Sequence, residues 1–530
     1  MQKISATKEN FFTKSNVISH LIILGKIFPF LVMLTSLSTQ AQTGSYTVNG
    51  GTASQTGQTY SAAVADQSAV YVLNSGKLTL TNCTMSKTGD ASNVNNSSQY
   101  GINAGILANS GSTVTISGGS VTTNASGANG LFASGSGSSI SMTNGTINAS
   151  GGNAHGVDVT YSGSIILTNV NVTTTGASSS ALATDFGGGT VTVSGGTINA
   201  SSTAANSHSA GIYSTGNITV SGATVSSAGD CGGVIDGSNS IILTNTSLTG
   251  AIEGIKIWKT APASGTATVK ITGGSLTTTS GDAFYVTGET GNASTASITS
   301  DSGATINTGT GNIMNVISSS TASFTVDADT LTGNMVADAT STLSVILKNG
   351  SSLTGNAQHT AMTIDSNSVW IVTANSVLTS LTDTKGISGL TVTNIVGNGQ
   401  NIHYDSSLVA NRYLGGHTYS LVNGGVLTAG SVTDVRGEQT GLPSTYVLYQ
   451  NYPNPFNPTT TIAIDLAQRS YVTLKVYNLL GQQVVTLING IREAGRYEIP
   501  FVGTNLASGV YFYRLQTSRF VQTKKLLIVK

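Results

Sequence analysis

The stretch TVTISGGSV, beginning at Thr113, returns with variations through the first half of the chain. It reads SISMTNGTI from Ser139, IILTNVNV from Ile165, TVTVSGGTI from Thr190, NITVSGATV from Asn217, IILTNTSL from Ile241 and TVKITGGSL from Thr268. A degenerate copy, KLTLTNCTM, starts at Lys77. The first apolar residues of the copies are Leu78, Val114, Ile140, Ile165, Val191, Ile218, Ile241 and Val269, with steps of 36, 26, 25, 26, 27, 23 and 28. A unit of about 25 residues is too short to bury its own apolar face, so successive units must stack as coils of a solenoid.

Within each copy apolar residues alternate with Thr or Ser, as in Val114/Ile116 and Val191/Val193, the period-two pattern of a strand with one buried face. A position held only by Gly or Asn follows: Asn82, Gly118, Asn144, Asn169, Gly195, Gly222, Asn245 and Gly273. These two residue types enter the left-handed region most cheaply, so one tight bend recurs in every coil. A second short strand (Val121, Ile147, Ile198, Val225, Leu248) comes after the bend, and a third lies about ten residues on, at Leu131, Val157, Ile212 and Ile255. No window sustains a helical period. The expected fold is all-β: a right-handed parallel β-helix with three short strands per coil of about 25 residues, followed by a small antiparallel β-sandwich.

Only 8% of residues are charged and Gly numbers 64, against about 25% charged in an ordinary domain. The net charge of zero hides a segregation. Residues 45–440 hold nine basic and eighteen acidic side chains, and 441–530 hold nine basic and three acidic. The long section has no basic stripe, which argues against nucleic acid as a partner. Residues 1–41 combine Lys3, Lys8 and Lys14 with an apolar run from Leu21 to Leu34 and small residues near Thr39 and Ala41. A cleaved export signal ending at Ala41 is expected, the run being too short and interrupted for a span of about 20 residues. Cys83 and Cys231 lie several coils apart, roughly 20 Å or more, and are expected to be free.

From Gln42 to about Gly76 the repeat is degenerate, which suggests an atypical capping coil. The coils from Leu78 to Ile257 hold no proline, which a ladder would not tolerate. Pro262 marks an excursion, the pattern then loosens, and strand-like pieces between Leu390 and Ala429 read as closing coils, so the solenoid is set at 42–430. Residues 431–445, SVTDVRGEQTGLPST, form the linker. After it the composition changes. The run Asn451-Tyr452-Pro453-Asn454-Pro455-Phe456-Asn457-Pro458 precedes a VYNLLGQQV segment with Gly481, an LASGVYFYRL segment with Gly509 and Tyr511, and a terminal KKLLIVK. Turn-bounded alternating strands over 446–530 argue a small antiparallel sandwich.

On these motifs the tail resembles the type A sorting domain of the type IX secretion system. The resemblance implies an Ig-like sandwich recognised by an outer-membrane translocon, with export to the cell surface or medium. It often brings removal of the tail and attachment to a surface glycolipid. The middle section more loosely resembles the right-handed β-helix passengers of bacterial adhesins and pectate-lyase-like folds, a likeness of periodicity that assigns no residue a role.

Candidate chemistry on the solenoid centres on the third strand. Aligning its copies puts Leu131, Val157, Leu182, Ile212, Val234, Ile255 and Phe284 in one inward column. Phe132, Asp158, Ala183, Tyr213, Ile235, Lys256 and Tyr285 then point outward, with Asp185, Thr215 and Trp258 two residues further on. Tyr213, Lys256, Trp258 and Tyr285 thus make a candidate glycan-binding face, aromatic and charged, against the plainer reading of an ordinary surface. Asp158 and Asp185 fall in adjacent coils at positions open to a glycosidase-type carboxylate pair. Acid–base catalysis needs titratable groups, yet there are no charged residues between Ala91 and Val157 or between Phe186 and Gly229, so a non-enzyme is expected.

The histidines have no metal-ligand spacing. Asp327-Ala328-Asp329 lacks the glycines of a calcium loop and reads as a solvated turn. No phosphate loop is present, and neither cofactor nor metal is expected. Thr-x-Thr pairs at Thr113/Thr115 and Thr190/Thr192 suggest an ice-binding row, which Ser139/Ser141 and Lys270 interrupt. The leading expectation is a secreted or cell-surface monomer with an adhesive or structural role. A polysaccharide-binding or polysaccharide-degrading protein is the alternative, and an ice-binding surface the third.

Overall fold

The computed structural model describes residues 42–430 and 446–529, apart from 204–207, 262–263, 289–291, 384, 452–453, 455, 505 and 518–519. The export signal, the linker and Pro262 lie outside the described residues. From Thr43 to Gly430 the chain is a parallel β-solenoid. The first and third strands of the coils belong to one 34-stranded sheet, and ten second strands form another. Successive first strands pair in parallel and in register: Leu78 with Val114, Val114 with Ile140, Ile140 with Ile165 and Ile165 with Val191. Each inward apolar therefore stacks on its counterpart, and one continuous core runs the length of the solenoid. Burying a Val, Ile or Leu contributes about 1.5–3 kcal/mol, and the stack repeats that contribution in every coil.

The recurrent bend is confirmed at every predicted position. Asn82, Gly118, Asn144, Asn169, Gly195, Gly222, Asn245 and Gly273 all have φ between 47° and 71°. The pairs Gly118-Gly119, Gly195-Gly196 and Gly273-Gly274 each follow a coil whose bend carries Asn. A Cβ on the first glycine would meet the Asn side chain of that coil; one on the second would meet its backbone, as at Gly196, 2.1 Å from the Val170 carbonyl oxygen.

Three expectations are corrected. Residues 43–62 are no irregular cap but a complete coil, whose three strands pair in register with those at 67–87. Within it Tyr46 stacks on Tyr60, with ring centroids 4.7 Å apart. In the third-strand column Gly233, not Val234, pairs with Ile212 and Ile255, so Val234 points outward and Ile235 inward. The shift arises in the short coil that contains Cys231-Gly232-Gly233. Asp329 of the supposed solvated turn is buried, accepting from Ser300 Oγ and from the Gly303 amide at 2.6 Å.

The 36-residue first step is an insertion. Val94–Tyr100 is an α-helix, capped by the Asn93 side chain on the Asn96 amide and ended by Gly101 at φ 67°. It lies against the outer face of the third strands: Thr160 Oγ1 donates to the Gln99 carbonyl at 3.1 Å, and Tyr100 stacks on Tyr161. Beyond residue 310 the coils shorten, Phe324 pairing with Val345 and Val345 with Met362, which is why the sequence period loosens there. At the far end the turn Val409–Leu414 and an antiparallel pair of strands close the core, Tyr404 and Tyr419 donating to the carbonyls of His417 and Leu414. Cys83 and Cys231 are free and buried.

The residues from 446 on form two antiparallel sheets, of three and four strands. They share a core of Ile462, Ile464, Leu474, Val476, Phe501, Tyr513 and Leu526 among others.

Candidate functional site

On the solenoid, register carries the outward face of the third strand from Phe132 through Asp158, Ala183, Tyr213, Val234 and Lys256 to Tyr285. The structure brings the four predicted face residues together, but half-buried. Tyr213 and Trp258 pack with Ala210, Cys231 and Val234 into a small apolar cluster separate from the main core. Lys256 Nζ lies 4.0 Å from the centre of the Trp258 ring, and Lys256 and Tyr285 are register neighbours. Asp236, which the sequence reading passed over, anchors this face. It accepts from Thr260 Oγ1 at 2.7 Å and from the Thr260 amide at 3.0 Å, and the Tyr213 hydroxyl lies 3.5 Å from the same carboxylate. Burial, reinforced by Asp185 and Asp236, holds the Tyr213 phenol well above its ordinary value.

Towards the first coils the same face is closed. Phe132 and Asp158 point outward yet are wholly buried, and a Cβ on Gly101, the residue that ends the helix, would strike the Phe132 ring. Neither oxygen of Asp158 has a hydrogen-bond partner. Burial pushes its carboxyl well above the usual range, and the neighbouring Asp185 adds to the effect. Asp185 is pushed up to about 6, chiefly by burial, although the Phe186 amide donates to it at 3.0 Å. Burial of this kind disfavours the charged form of a carboxyl. Asp158 and Asp185 are therefore neighbours, as their spacing suggested, but Asp158 cannot touch a substrate.

On the other flank Glu253 accepts from the Asp282 amide at 2.5 Å and is pushed up to about 7, first by burial and then by Asp282. Asp282 accepts from Thr310 and Asn315, both at 2.7 Å. Among the described residues no three His, Cys, Asp or Glu side chains are grouped to hold a metal ion. The threonine row on the first strands is broken in register by Ile166, Ile242 and Lys270.

In the tail, most of the motif residues are scaffold. Asn451 is buried, its amide donating to the Tyr513 hydroxyl at 2.8 Å and its side chain to Thr460 at 3.0 Å. Asn454 accepts from the Leu527 amide at 2.8 Å. Phe456 packs on Phe501 and bonds through its backbone to both Leu527 and Val529. Asn457 precedes Pro458, whose carbonyl accepts from Gly503 at 2.8 Å. Tyr452, Pro453 and Pro455 lie outside the described residues. Gly481 (φ 75°) and Gly509 (φ 150°) occupy conformations that favour glycine, and Tyr511 is buried and donates to the Ala507 carbonyl at 3.1 Å.

What the motif scaffold presents is an exposed turn within the VYNLLGQQV segment, which the sequence analysis named only for Gly481. Leu479 and Leu480 are 70% and 82% exposed. They are held out by Asn478, whose side-chain oxygen accepts from the amides of Leu480 and Gln482, both at 3.0 Å. Beside them lies a hollow of about 230 Å³ lined by Asn478, Leu480, Ser508, Gly509 and Tyr511. Two adjacent leucines in a fixed turn were the available signal, since a turn offers them no core.

Residues 450–530 match the family described as the secretion system C-terminal sorting domain. No curated protein matches the chain. No helix among the described residues is long and apolar enough to cross a membrane.

Proposed function

We propose that the solenoid is a non-enzymatic, adhesive or structural passenger, delivered to the cell surface or medium by the type IX translocon acting on residues 446–530. The sorting domain implies export and recognition by secretion machinery; the passenger role is the inference added here. It is carried by the surface of the coils: from residue 91 to 229 the only charged side chains are Asp158 and Asp185. Those coils, almost without titratable groups, have little to catalyse with. The long uniform ladder of Ser, Thr and Asn suits an extended scaffold. In the tail, the adjacent Leu479 and Leu480, the most exposed of its large apolar side chains, are the pair a translocon component would engage, since contiguous exposed apolar surface marks contact sites.

A second reading, glycan binding without turnover, is favoured by the half-buried strip of Tyr213, Lys256, Trp258 and Tyr285, because sugar rings stack on flat apolar surfaces. Both readings meet in one experiment, in which the exported protein is incubated with a panel of neutral, acidic and amino polysaccharides. Retention without new reducing or unsaturated ends is expected if the strip binds, and no retention if the role is purely structural. Sustained release of oligosaccharide would overturn the non-enzymatic assignment.

A further inference from the structure

The glycan-binding strip has a charge pattern that selects its ligand. Its floor is aromatic and apolar: Tyr213, Val234 and Tyr285 in one register column, with Trp258 beside them. Its flanks are acidic, with Asp185 and Asp236 on one side of the column and Glu253 and Asp282 on the other. The ammonium group in this column is that of Lys256, which sits over the Trp258 ring, while the neighbouring Lys259 is buried and donates to the Gly265 carbonyl.

Stacked coils place equivalent residues about 4.8 Å apart, so like charges in successive coils repel. Elsewhere the solenoid avoids this by pairing opposite charges across coils, Lys270 with Asp301 at 3.2 Å and Lys348 with Asp327 at 3.0 Å. Along the strip Lys256 favours the ionised form of Glu253, but one ammonium group there faces four carboxylates. At the edge of the strip the Trp258 indole nitrogen has no hydrogen-bond partner. Four carboxylates flanking an aromatic floor beside one lysine are what a ligand with ammonium groups would complement. A uronic-acid polymer would instead add like charge.

We propose that this strip binds an amino-sugar polysaccharide with free amino groups. Its sugar rings lie on Tyr213, Trp258 and Tyr285, and its ammonium groups pair with Asp185, Asp236 and Glu253. The proposal rests on the glycan-binding reading and narrows it to one class. Pairing with ammonium favours the ionised carboxyls, so binding should release protons. Affinity should rise from pH 5 towards 7, and fall once the ligand's own amines lose their protons.

The test uses the full exported chain and four probes of equal length: oligomers of glucosamine, N-acetylglucosamine and galacturonic acid, and a lysine peptide. Glucosamine oligomers should bind at least tenfold more tightly than the N-acetylated ones. The double variant Asp185→Asn, Asp236→Asn should lose at least tenfold of that affinity while its circular dichroism stays unchanged. Preference for the N-acetylated or galacturonic oligomers overturns the charge assignment and leaves the glycan reading standing. Equal or tighter binding of the lysine peptide overturns the sugar assignment, and binding of none of the four overturns both.

Discussion

The coils between residues 91 and 229 and the sandwich after residue 446 bury their apolar side chains equally well but surface themselves in opposite ways. The coils carry two charged residues over that whole stretch, whereas residues 441–530 carry twelve. The difference follows from how the strands neighbour one another. In the solenoid a residue sits directly over its counterpart from the next coil, so a charge written into the repeat would become a like-charge ladder. Thr, Ser and Asn stack without that repulsion. In the antiparallel sandwich neighbours come from unrelated sequence positions, so charges of either sign can be scattered freely. The solenoid is thus a repeated surface, and the sandwich is a singular one able to carry an address.

The largest effects should separate the two cores. Ile212→Ala opens a cavity in the stack and should cost about 2–5 kcal/mol, yet only neighbouring coils should lose protection from hydrogen exchange, because a solenoid is held by nearest-neighbour contacts. Leu474→Ala in the sandwich should cost a similar amount but loosen all the strands together. Uniform loss of protection along the solenoid would show that its coils are not energetically local.

Next in size are the bends. Gly196→Ala forces a side chain into a φ of 88° with its Cβ 2.1 Å from the Val170 carbonyl, and should cost about 3 kcal/mol in denaturant melts. Gly195→Asn is expected to be milder, about 1 kcal/mol or less, since Asn tolerates the conformation and only the movable Asn169 side chain is in the way. Equal costs would mean that the two glycines serve the same purpose.

A smaller effect distinguishes the regions by pH. Asp158, Asp185 and Glu253 have raised values, the last two about 6 and about 7. The folded stack therefore binds more protons than the unfolded chain between about pH 4 and 7. The stability they contribute is full below about pH 4 and is lost as pH rises through 6 to 7, on the order of 3 kcal/mol for Asp185. Asp338 and Asp365 are lowered, by hydrogen bonds that outweigh burial, and act in the opposite sense below pH 4. The solenoid should accordingly melt highest near pH 4–5, and the variant Asp158→Asn, Asp185→Asn should flatten the fall towards pH 8. An unchanged slope would place the proton uptake elsewhere.

The smallest effect on stability should accompany a large one on export. Leu479→Asp with Leu480→Asp alters exposed side chains and should shift stability by no more than about 0.5 kcal/mol, while the surface-displayed fraction drops severalfold. Normal display would remove this turn from recognition.

Most of the stack was legible because its constraints are local. Alternation marks the buried faces, and a left-handed bend admits little but Gly and Asn. What escaped was set by residues distant in sequence or by a change of period. The outward-pointing Asp158 is buried on a face shared with a seven-residue polar helix some sixty positions earlier, visible in advance only as an overlong first step. The double glycine at Gly232-Gly233 concealed the register that turns Val234 outward. The strip of Tyr213, Lys256, Trp258 and Tyr285 was readable from spacing, but not its packing on Cys231 and Val234, nor the part played by Asp236. In the tail the motif residues were legible as a set, and their inward role was not, because hydrogen bonds such as Asn454 to Leu527 join the two ends of the domain.

The most direct measurement is the location of the chain truncated after residue 445, produced in a host with type IX secretion and compared with the full chain by surface protease accessibility. Delivery by the sandwich predicts that the truncated protein accumulates behind the outer membrane with its solenoid folded and protease-resistant once released, while the full chain is displayed or shed. Truncated protein on the surface at the normal level would contradict the division of the molecule into passenger and address.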